Sequence, residues 1–193
     1  MFAFAAPDLL PIECLHLSNG IPVFVLQHPG YKLLRMDIRL KAGSCFQSFP
    51  GVAQTTAKIL LEGTVSHPQN WSECMDGLGA FTEISAERDF VSLSFHFPQE
   101  KAASVLSLVM ELLVEPLFDS DKLELIRMQH RQQLAVQLEK GSFVAYRQFL
   151  STLFGTHPYG QLLALSDMDC WTPELLRCFF MDCYVPEATR IFI

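Results

Sequence analysis

Two segments of the sequence, residues 35–41 and 91–97, alternate strictly between apolar and polar side chains. A period of two residues predicts a β-strand with one buried face and one face in water. The positions predicted to be buried are Met36, Ile38, Leu40, Val91, Leu93, Phe95 and Phe97. A sheet with such a face needs a second layer to cover it, which restricts the chain to a small set of layered folds.

Helices are predicted between these strands and after them. The segments with helical periodicity are residues 51–62, 71–78, 99–114, 121–140, 142–154 and 172–184. Three further strands are expected: residues 20–27, paired with 35–41 as an antiparallel hairpin through "HPGYKLL", the first part of residues 81–97, and residues 188–193. The order of elements predicts an α+β fold, with a mostly antiparallel sheet covered on one side by helices.

Residue types at three helix starts agree with this assignment. Asn70 is followed three residues later by Glu73, which is capping-box spacing. Asp119 or Ser120 can cap the helix over 121–140. The last helix is expected to begin at "TPE", where a cap is followed by a proline and an acid in the first turn.

The composition excludes some classes of function. A net charge of −7 lacks the basic footprint that nucleic-acid binding needs. No apolar run is as long as a membrane span, and residues 1–20 lack the basic region of a signal peptide. We therefore expect one cytoplasmic domain over residues 1–193, bound to neither nucleic acid nor membrane. Its six cysteines lack metal-ligand spacing and are expected to be reduced, buried thiols.

Longer pieces of the sequence follow one another in a recognisable order. They read LSNGIPVFVL, LKAGSCFQS, GVAQTTAKILLEGT, MDGLGAFTEISAERDFVSLSF, EPLFDSDKLELIRMQHRQQL, HPYG and YVPEATRIFI. Together, over residues 15–193, they resemble the N-terminal half of the insulinase/pitrilysin-type zinc peptidases, the family that includes the mitochondrial processing peptidases. The resemblance implies the α+β domain of that family.

The resemblance also locates a metal site that this chain lacks. In active members, the helix similar to residues 51–64 carries His-x-x-Glu-His, in which both His bind Zn²⁺ and the Glu activates a water; a later Glu completes the site. The matching positions here are Gln54, Ala57, Lys58 and Gln133. An amide is a poor zinc ligand, a methyl group accepts no proton, and an ammonium repels the ion. The resemblance therefore implies a domain with no catalytic residue, no bound zinc and no other cofactor.

That helix is nevertheless expected to pack. Val52, Ile59 and Leu60 are predicted to face inward, each stabilising the fold by about 1.5–3 kcal/mol. Gln54 and Lys58 are expected to line what remains of the site. The chemical face of the helix was thus free to change while its apolar face was retained.

One strand is expected to keep a binding role. In the family, the edge strand beside the metal pairs with an extended peptide through its main chain, which requires no particular side chain. The corresponding residues here are Phe81, Thr82, Glu83, Ile84 and Ser85. Alternatively, a partner domain simply shields this edge. His157 and Tyr159, in "HPYG", are expected to belong to a packed loop without a catalytic role.

Three functions remain open on these grounds. The first is a non-catalytic homologue that forms half of a clam-shell peptidase assembly or binds peptides. Its partner would be a second family domain, in the same longer chain or as a separate catalytic subunit of a heterodimer. The second is an active zinc endopeptidase with rearranged ligands such as His130. The third is an interaction or structural domain without a peptide cleft.

The end of the sequence adds an expectation about length. The last residues, 188–193, are an apolar strand with no polar tail after Ile193. Residues 1–193 are therefore expected to be the N-terminal half of a longer two-domain protein.

Overall fold

The computed structural model describes residues 11–28 and 30–193. In this part of the chain one sheet contains the strands β1 Ile12–His16, β2 Pro22–Leu26, β3 Leu33–Leu40, β4 Phe81–Ala86, β5 Val91–Pro98 and β6 Thr189–Phe192. Their order across the sheet is β1-β2-β6-β3-β5-β4. β2 and β6 are parallel, and the other neighbours are antiparallel, so the sheet is mostly antiparallel as the sequence predicts.

The predicted hairpin between residues 20–27 and 35–41 is wrong. β6 lies between β2 and β3, and its Ile191 is opposite Val23 on one side and Ile38 on the other. β2 pairs instead with β1, a strand that the sequence pattern did not predict. Neighbouring strands in sequence often pair, but here the C-terminal strand occupies the position between them. The predicted connection includes Pro29, which lies outside the described residues, as do residues 1–10 of the N-terminal segment.

The alternation in β3 and β5 is confirmed. The two strands pair along their whole length, with Met36 opposite Phe95 and Ile38 opposite Leu93. All seven apolar side chains predicted to face inward are buried. The polar side chains between them point to the other face, where Arg35 bonds to Asp37 at 3.0 Å.

Helices cover the buried face of the sheet. They are α1 Val52–Leu60, α2 Trp71–Gly77, α3 Ala102–Val114, α4 Ser120–Leu138, α5 Gly141–Phe154 and α6 Pro173–Cys183, within a residue or a few of the predicted bounds. Side chains of α1, α3 and α6 join those of β3 and β5 in one core. None of the helices in the described ranges is long and apolar enough to cross a membrane.

The helix starts show which predicted caps form. The Asp119 carboxylate accepts hydrogen bonds from the backbone N–H of Asp121 and Lys122, at 2.8 and 3.0 Å, and so begins α4 as predicted. The Thr172 hydroxyl caps α6 in the same way, accepting from Leu175 N–H at 3.2 Å. Asn70 makes no side-chain cap on α2, so the predicted capping box is wrong there.

The cysteines are free thiols, but the prediction that they are all buried is wrong. Cys14, Cys170 and Cys178 are exposed, and the other three are half-buried. Single thiols scattered on strands and helices carry no burial signal of their own, because a cysteine fits either environment.

α1 begins against a tryptophan. Gly51, the residue before α1, has φ +84°, a left-handed conformation that favours glycine. Its Cα faces the ring of Trp171, which is fully buried and donates its indole N–H to the Pro50 carbonyl at 3.0 Å. The indole thereby fixes the position at which the chain enters the helix.

We expect Gly51→Ala to destabilise the fold by about 2–4 kcal/mol, because a Cβ would overlap the Trp171 ring and the backbone would be strained. Urea denaturation measures this free energy of unfolding. Gly141→Ala is the matched control, since a Cβ there meets open space at the start of α5 and φ is ordinary. A Gly51→Ala protein as stable as the control would contradict this account of the helix start.

Candidate functional site

α1 lies between the sheet edge and two other helices. It contacts β4 on one side and α4 and α6 on others. Val52, Ile59 and Leu60, the residues expected to face inward, are each 0% exposed. Their burial stabilises the helix independently of any catalytic group.

The four positions aligned with the zinc motif have different surroundings. Gln54 and Gln133 are exposed, on α1 and α4 respectively. Ala57 is 1% exposed and belongs to the core, so this position offers no surface to a substrate. Lys58 is half-buried.

Gln54 lines a small cleft. The cleft has a volume of about 260 Å³, and polar groups from three parts of the chain meet in it, among them Gln47, Gln54, Glu87, Arg88 and Gln161. Ala86, the last residue of β4, also lines it. The cleft therefore lies where the edge strand ends beside the first turn of α1. Lys58 and Gln133 are not among its lining residues.

These residues do not fit a zinc ion. Neutral amides and an ammonium replace the imidazole and carboxylate ligands that Zn²⁺ prefers. Across residues 11–28 and 30–193, no group of three or more His, Cys, Asp or Glu side chains could hold a metal ion. His130, the candidate for a rearranged site, thus has no companion ligands in the described chain.

His130 is a buried histidine in the contact between α4 and α1. Its side chain is 5% exposed, and its ring packs edge-on against Trp171, with centroids 5.5 Å apart. The Nε2 atom is buried and has no hydrogen-bond partner. Burial, and then the positive charge of Lys58, lower the pKa of His130 to about 4. The imidazole is therefore neutral at pH 7.

Lys58 has no carboxylate partner among the described residues. Partial burial lowers the pKa of its ammonium group. Glu62, two residues after the end of α1, bonds instead to Lys122 of α4 at 3.5 Å. Lys58 is thus a half-buried positive charge without an ion-pair partner in the described ranges.

β4 forms one edge of the described sheet, as the sequence analysis assumed for residues 81–85. The β4–β5 hairpin is closed by a hydrogen bond from Glu87 N–H to Phe90 C=O, at 2.8 Å. Hydrogen-bonded and non-hydrogen-bonded pairs alternate along an antiparallel ladder. The backbone groups of Thr82, Ile84 and Ala86 therefore point away from β5, toward the open edge.

The loop that contains His157 and Tyr159 has a structural role, as predicted. His157 accepts a hydrogen bond from Tyr159 N–H through Nδ1, at 3.2 Å. The Tyr159 hydroxyl donates to the Asp89 carboxylate at 2.6 Å, and this bond raises the pKa of Tyr159. Arg88 lies over the rings of Phe154 and Tyr159. These contacts fix the β4–β5 turn that borders the cleft.

Several residues of this region were missed by the sequence analysis. Glu87, Arg88 and Gln161 reach the cleft from a turn and a loop, and no local pattern distinguishes them. The contact between His130 and Trp171 joins residues 41 positions apart by packing alone. Periodicity could have marked His130 as inward-facing, since Ile126 and Leu134 lie four residues to either side and are buried.

His130 predicts a loss of stability in acid. Its folded-state pKa of about 4 lies below the ordinary value of 6.5, so between these values the unfolded chain binds more protons and stability decreases as the pH is lowered. Between pH 7 and pH 4.5, we expect the free energy of unfolding of His130→Phe to fall by about 2 kcal/mol less than that of the unmodified protein. Urea denaturation at both pH values measures the difference. His16→Phe, at an exposed position, should lose as much stability in acid as the unmodified protein does. Equal losses in all three proteins would contradict the assignment.

Comparisons with known proteins identify the fold. No protein-family model matches the chain, and no curated protein matches it either. A solved peptidase M16 inactive domain from Pseudomonas fluorescens matches with a TM-score of 0.90 and 23% identity, over 95% of this chain and 46% of that one. A protease from Helicobacter pylori gives 0.85 and 17%, over 95% and 46%. Pitrilysin gives 0.81 and 15%, over 96% and 21%.

The chain thus spans less than half the length of each of these proteins. Nearly all of it takes part in each match, so the likeness covers the sheet and the helices together. The likeness to the three structures agrees with the resemblance carried by the sequence pieces. This chain has the fold of an insulinase/pitrilysin-type peptidase domain.

Proposed function

We propose that this chain is a non-catalytic domain of the peptidase fold that binds extended peptides and forms half of a clam-shell assembly. The observation that carries the proposal is the state of α1. The helix keeps its place beside the edge strand β4, but Gln54, Ala57 and Lys58 provide neither a zinc ligand set nor a proton acceptor. The edge strand β4 thus retains a binding role in a domain without a catalytic centre.

The edge strand supports the peptide-binding part of the proposal. Unpaired N–H and C=O groups on an edge strand can add a further strand through main-chain hydrogen bonds. Thr82, Ile84 and Ala86 direct such groups outward from β4. The cleft beside Gln54 lies at the end of this edge, where it can take a side chain or terminus of the peptide.

The comparisons support the assembly part. The Pseudomonas fluorescens structure is named an inactive domain, and its chain is about twice as long as the matched region. We infer a second domain of the same kind as the partner, in the same longer chain or as a separate catalytic subunit.

An apolar hollow is a suitable surface for that second domain. It lies on the sheet face opposite the helices, has a volume of about 730 Å³ and is bordered by Arg35 and Asp37. Ile12, Leu26 and Leu33 line it and are exposed. Monomeric proteins rarely leave large contiguous apolar patches in water, so a partner that covers this face would stabilise it.

We expect the purified protein to contain far less than one zinc ion per chain and to leave unfolded β-casein uncleaved, because the donor set is wrong for zinc. Elemental analysis after dialysis against Zn²⁺ measures the zinc content, and gel electrophoresis measures the cleavage of β-casein. The double variant Gln54→His, Lys58→His is the matched control for metal uptake, since two imidazoles one turn apart can share one ion. The proposal would be contradicted if the unmodified protein contained stoichiometric zinc and a chelator removed both the zinc and the hydrolysis of casein.

We expect Ile84→Pro to weaken the binding of extended peptides by about fivefold or more, because it removes an outward N–H from the β4 edge. Fluorescence anisotropy with a labelled, acetylated hexapeptide of alternating Thr and Val measures the affinity. Ile84→Ala is the control, since it loses similar packing but keeps the N–H. If both variants bind as the unmodified protein does, peptides do not pair with β4.

A further inference from the structure

The cleft beside Gln54 has a fixed wall on the side of the β4–β5 turn. The Ser44 N–H donates to the Glu87 carbonyl at 2.9 Å, and the Cys45 N–H donates to the Arg88 carbonyl at 2.8 Å. These bonds hold the turn against residues 43–45. Ser44, Glu87 and Arg88 line the cleft, so the same bonds determine its shape on this side.

The other walls of the cleft are held in the same way. The Trp171 indole N–H donates to the Pro50 carbonyl at 3.0 Å, where the chain enters α1. The Arg147 guanidinium donates to the Leu163 carbonyl at 2.8 Å, in the loop that carries Gln161. The cleft of about 260 Å³ is therefore formed before a ligand arrives, as specific binding sites usually are.

Three side-chain amides share this cleft. They belong to Gln47, Gln54 and Gln161. The Oε1 atom of Gln47 accepts a hydrogen bond from the Ala53 N–H at 3.2 Å, which leaves the NH₂ group of the same amide to donate. The amides of Gln54 and Gln161 form no hydrogen bond within the described ranges. Because an amide both donates and accepts, a second amide is the ligand group that matches it.

The charges that line the cleft cancel. Glu87 and Arg88 are adjacent in the chain and opposite in sign. The Arg88 guanidinium lies over the rings of Phe154 and Tyr159, 5.5 and 5.2 Å from their centroids, which holds it at the wall. A charged ligand would lose hydration here without meeting a net opposite charge, whereas an uncharged polar group would lose less.

The pairing of β4 directs one side chain of an added strand toward the cleft. Ala86 lies opposite Val91, which is buried under the helices. Side chains directly opposite each other share one face of a sheet, so the peptide residue that pairs with Ala86 points to the helix side. Ala86 lines the cleft and has only a methyl group, which leaves room there for a longer side chain.

We propose that the cleft binds the side-chain amide of a glutamine, carried by the peptide residue that pairs with Ala86. The proposal rests on the proposed function, because the peptide is the one held at β4. A volume of about 260 Å³ equals roughly nine water molecules at the ~30 Å³ that each occupies in the liquid, so one such side chain fits. Its methylene groups contact Ala86 and Leu163, and its amide exchanges hydrogen bonds with the amides of the cleft.

Peptides that differ at their ends test the choice of ligand. Labelled hexapeptides X-Thr-Val-Thr-Val-X carry an N-terminal acetyl group and a C-terminal methylamide, so either strand direction brings an X to Ala86. With X as Gln, we expect fluorescence anisotropy to show binding about fivefold tighter than with Met, Glu or Lys. Equal affinity of the four peptides would mean that the cleft holds only water, and would overturn the proposal.

Variants of the cleft test whether its amides make this choice. Gln54→Met keeps the length of the side chain but removes the amide, and should reduce the preference for the Gln peptide over the Met peptide by about threefold. Gln161→Met should act in the same way. Gln133→Met is the matched control, because Gln133 is exposed on α4 and does not line the cleft. Equal preferences in all three variants would contradict the proposal.

A small probe separates this proposal from the proposed function. Propionamide carries the amide of a glutamine side chain, and propionate has a similar shape with a negative charge. We expect propionamide, but not propionate, to shift the Gln54 side-chain NH₂ signals in a saturable NMR titration, and Gln161→Met to weaken this response.

The two proposals fail in different ways. If no peptide binds but propionamide shifts the Gln54 signals, the amide site stands and the proposed function fails. If the peptides bind without regard to X and propionamide leaves Gln54 unchanged, the amide site is disproved while peptide binding stands.

Discussion

The apolar face that β3 and β5 share is the constraint on which the rest of the structure depends. Its side chains alternate with polar ones, so they all project to one side of the sheet, where α1, α3 and α6 bury them. α1 belongs to this core through Val52, Ile59 and Leu60. Its place beside β4 is therefore determined by packing, whatever residues stand on its other face.

That separation of faces explains how the fold is stable whatever residues stand on the outer face of α1. A catalytic carboxylate at position 57 would have to be partly desolvated, whereas Ala57 simply fills the core. Lys58 carries a positive charge, whereas a metal-binding ligand set is neutral or negative. No carboxylate in the described chain forms an ion pair with Lys58.

Local signals predicted the elements well where a few adjacent residues determine them. The alternation in β3 and β5 and the caps at Asp119 and Thr172 depend on neighbours within four residues, and all of these formed. The hairpin between residues 20–27 and 35–41 did not form, because the choice of a strand's neighbour depends on β6, which lies near the other end of the sequence. The exposed thiols and the missing cap at Asn70 likewise depend on surroundings that local patterns do not contain.

By itself, the sequence determined the α+β layering, the inward face of α1 and the lack of a His-x-x-Glu-His motif in residues 51–64, since periodicity and residue chemistry are local properties. The tertiary structure decided which groups share a space. It placed the end of β4 beside Gln54, closed the turn there through Tyr159 and Asp89, and packed the buried His130 against Trp171. These contacts join segments 30 to 70 residues apart or more, and such distant pairings are settled by the burial of the whole core rather than by any local pattern.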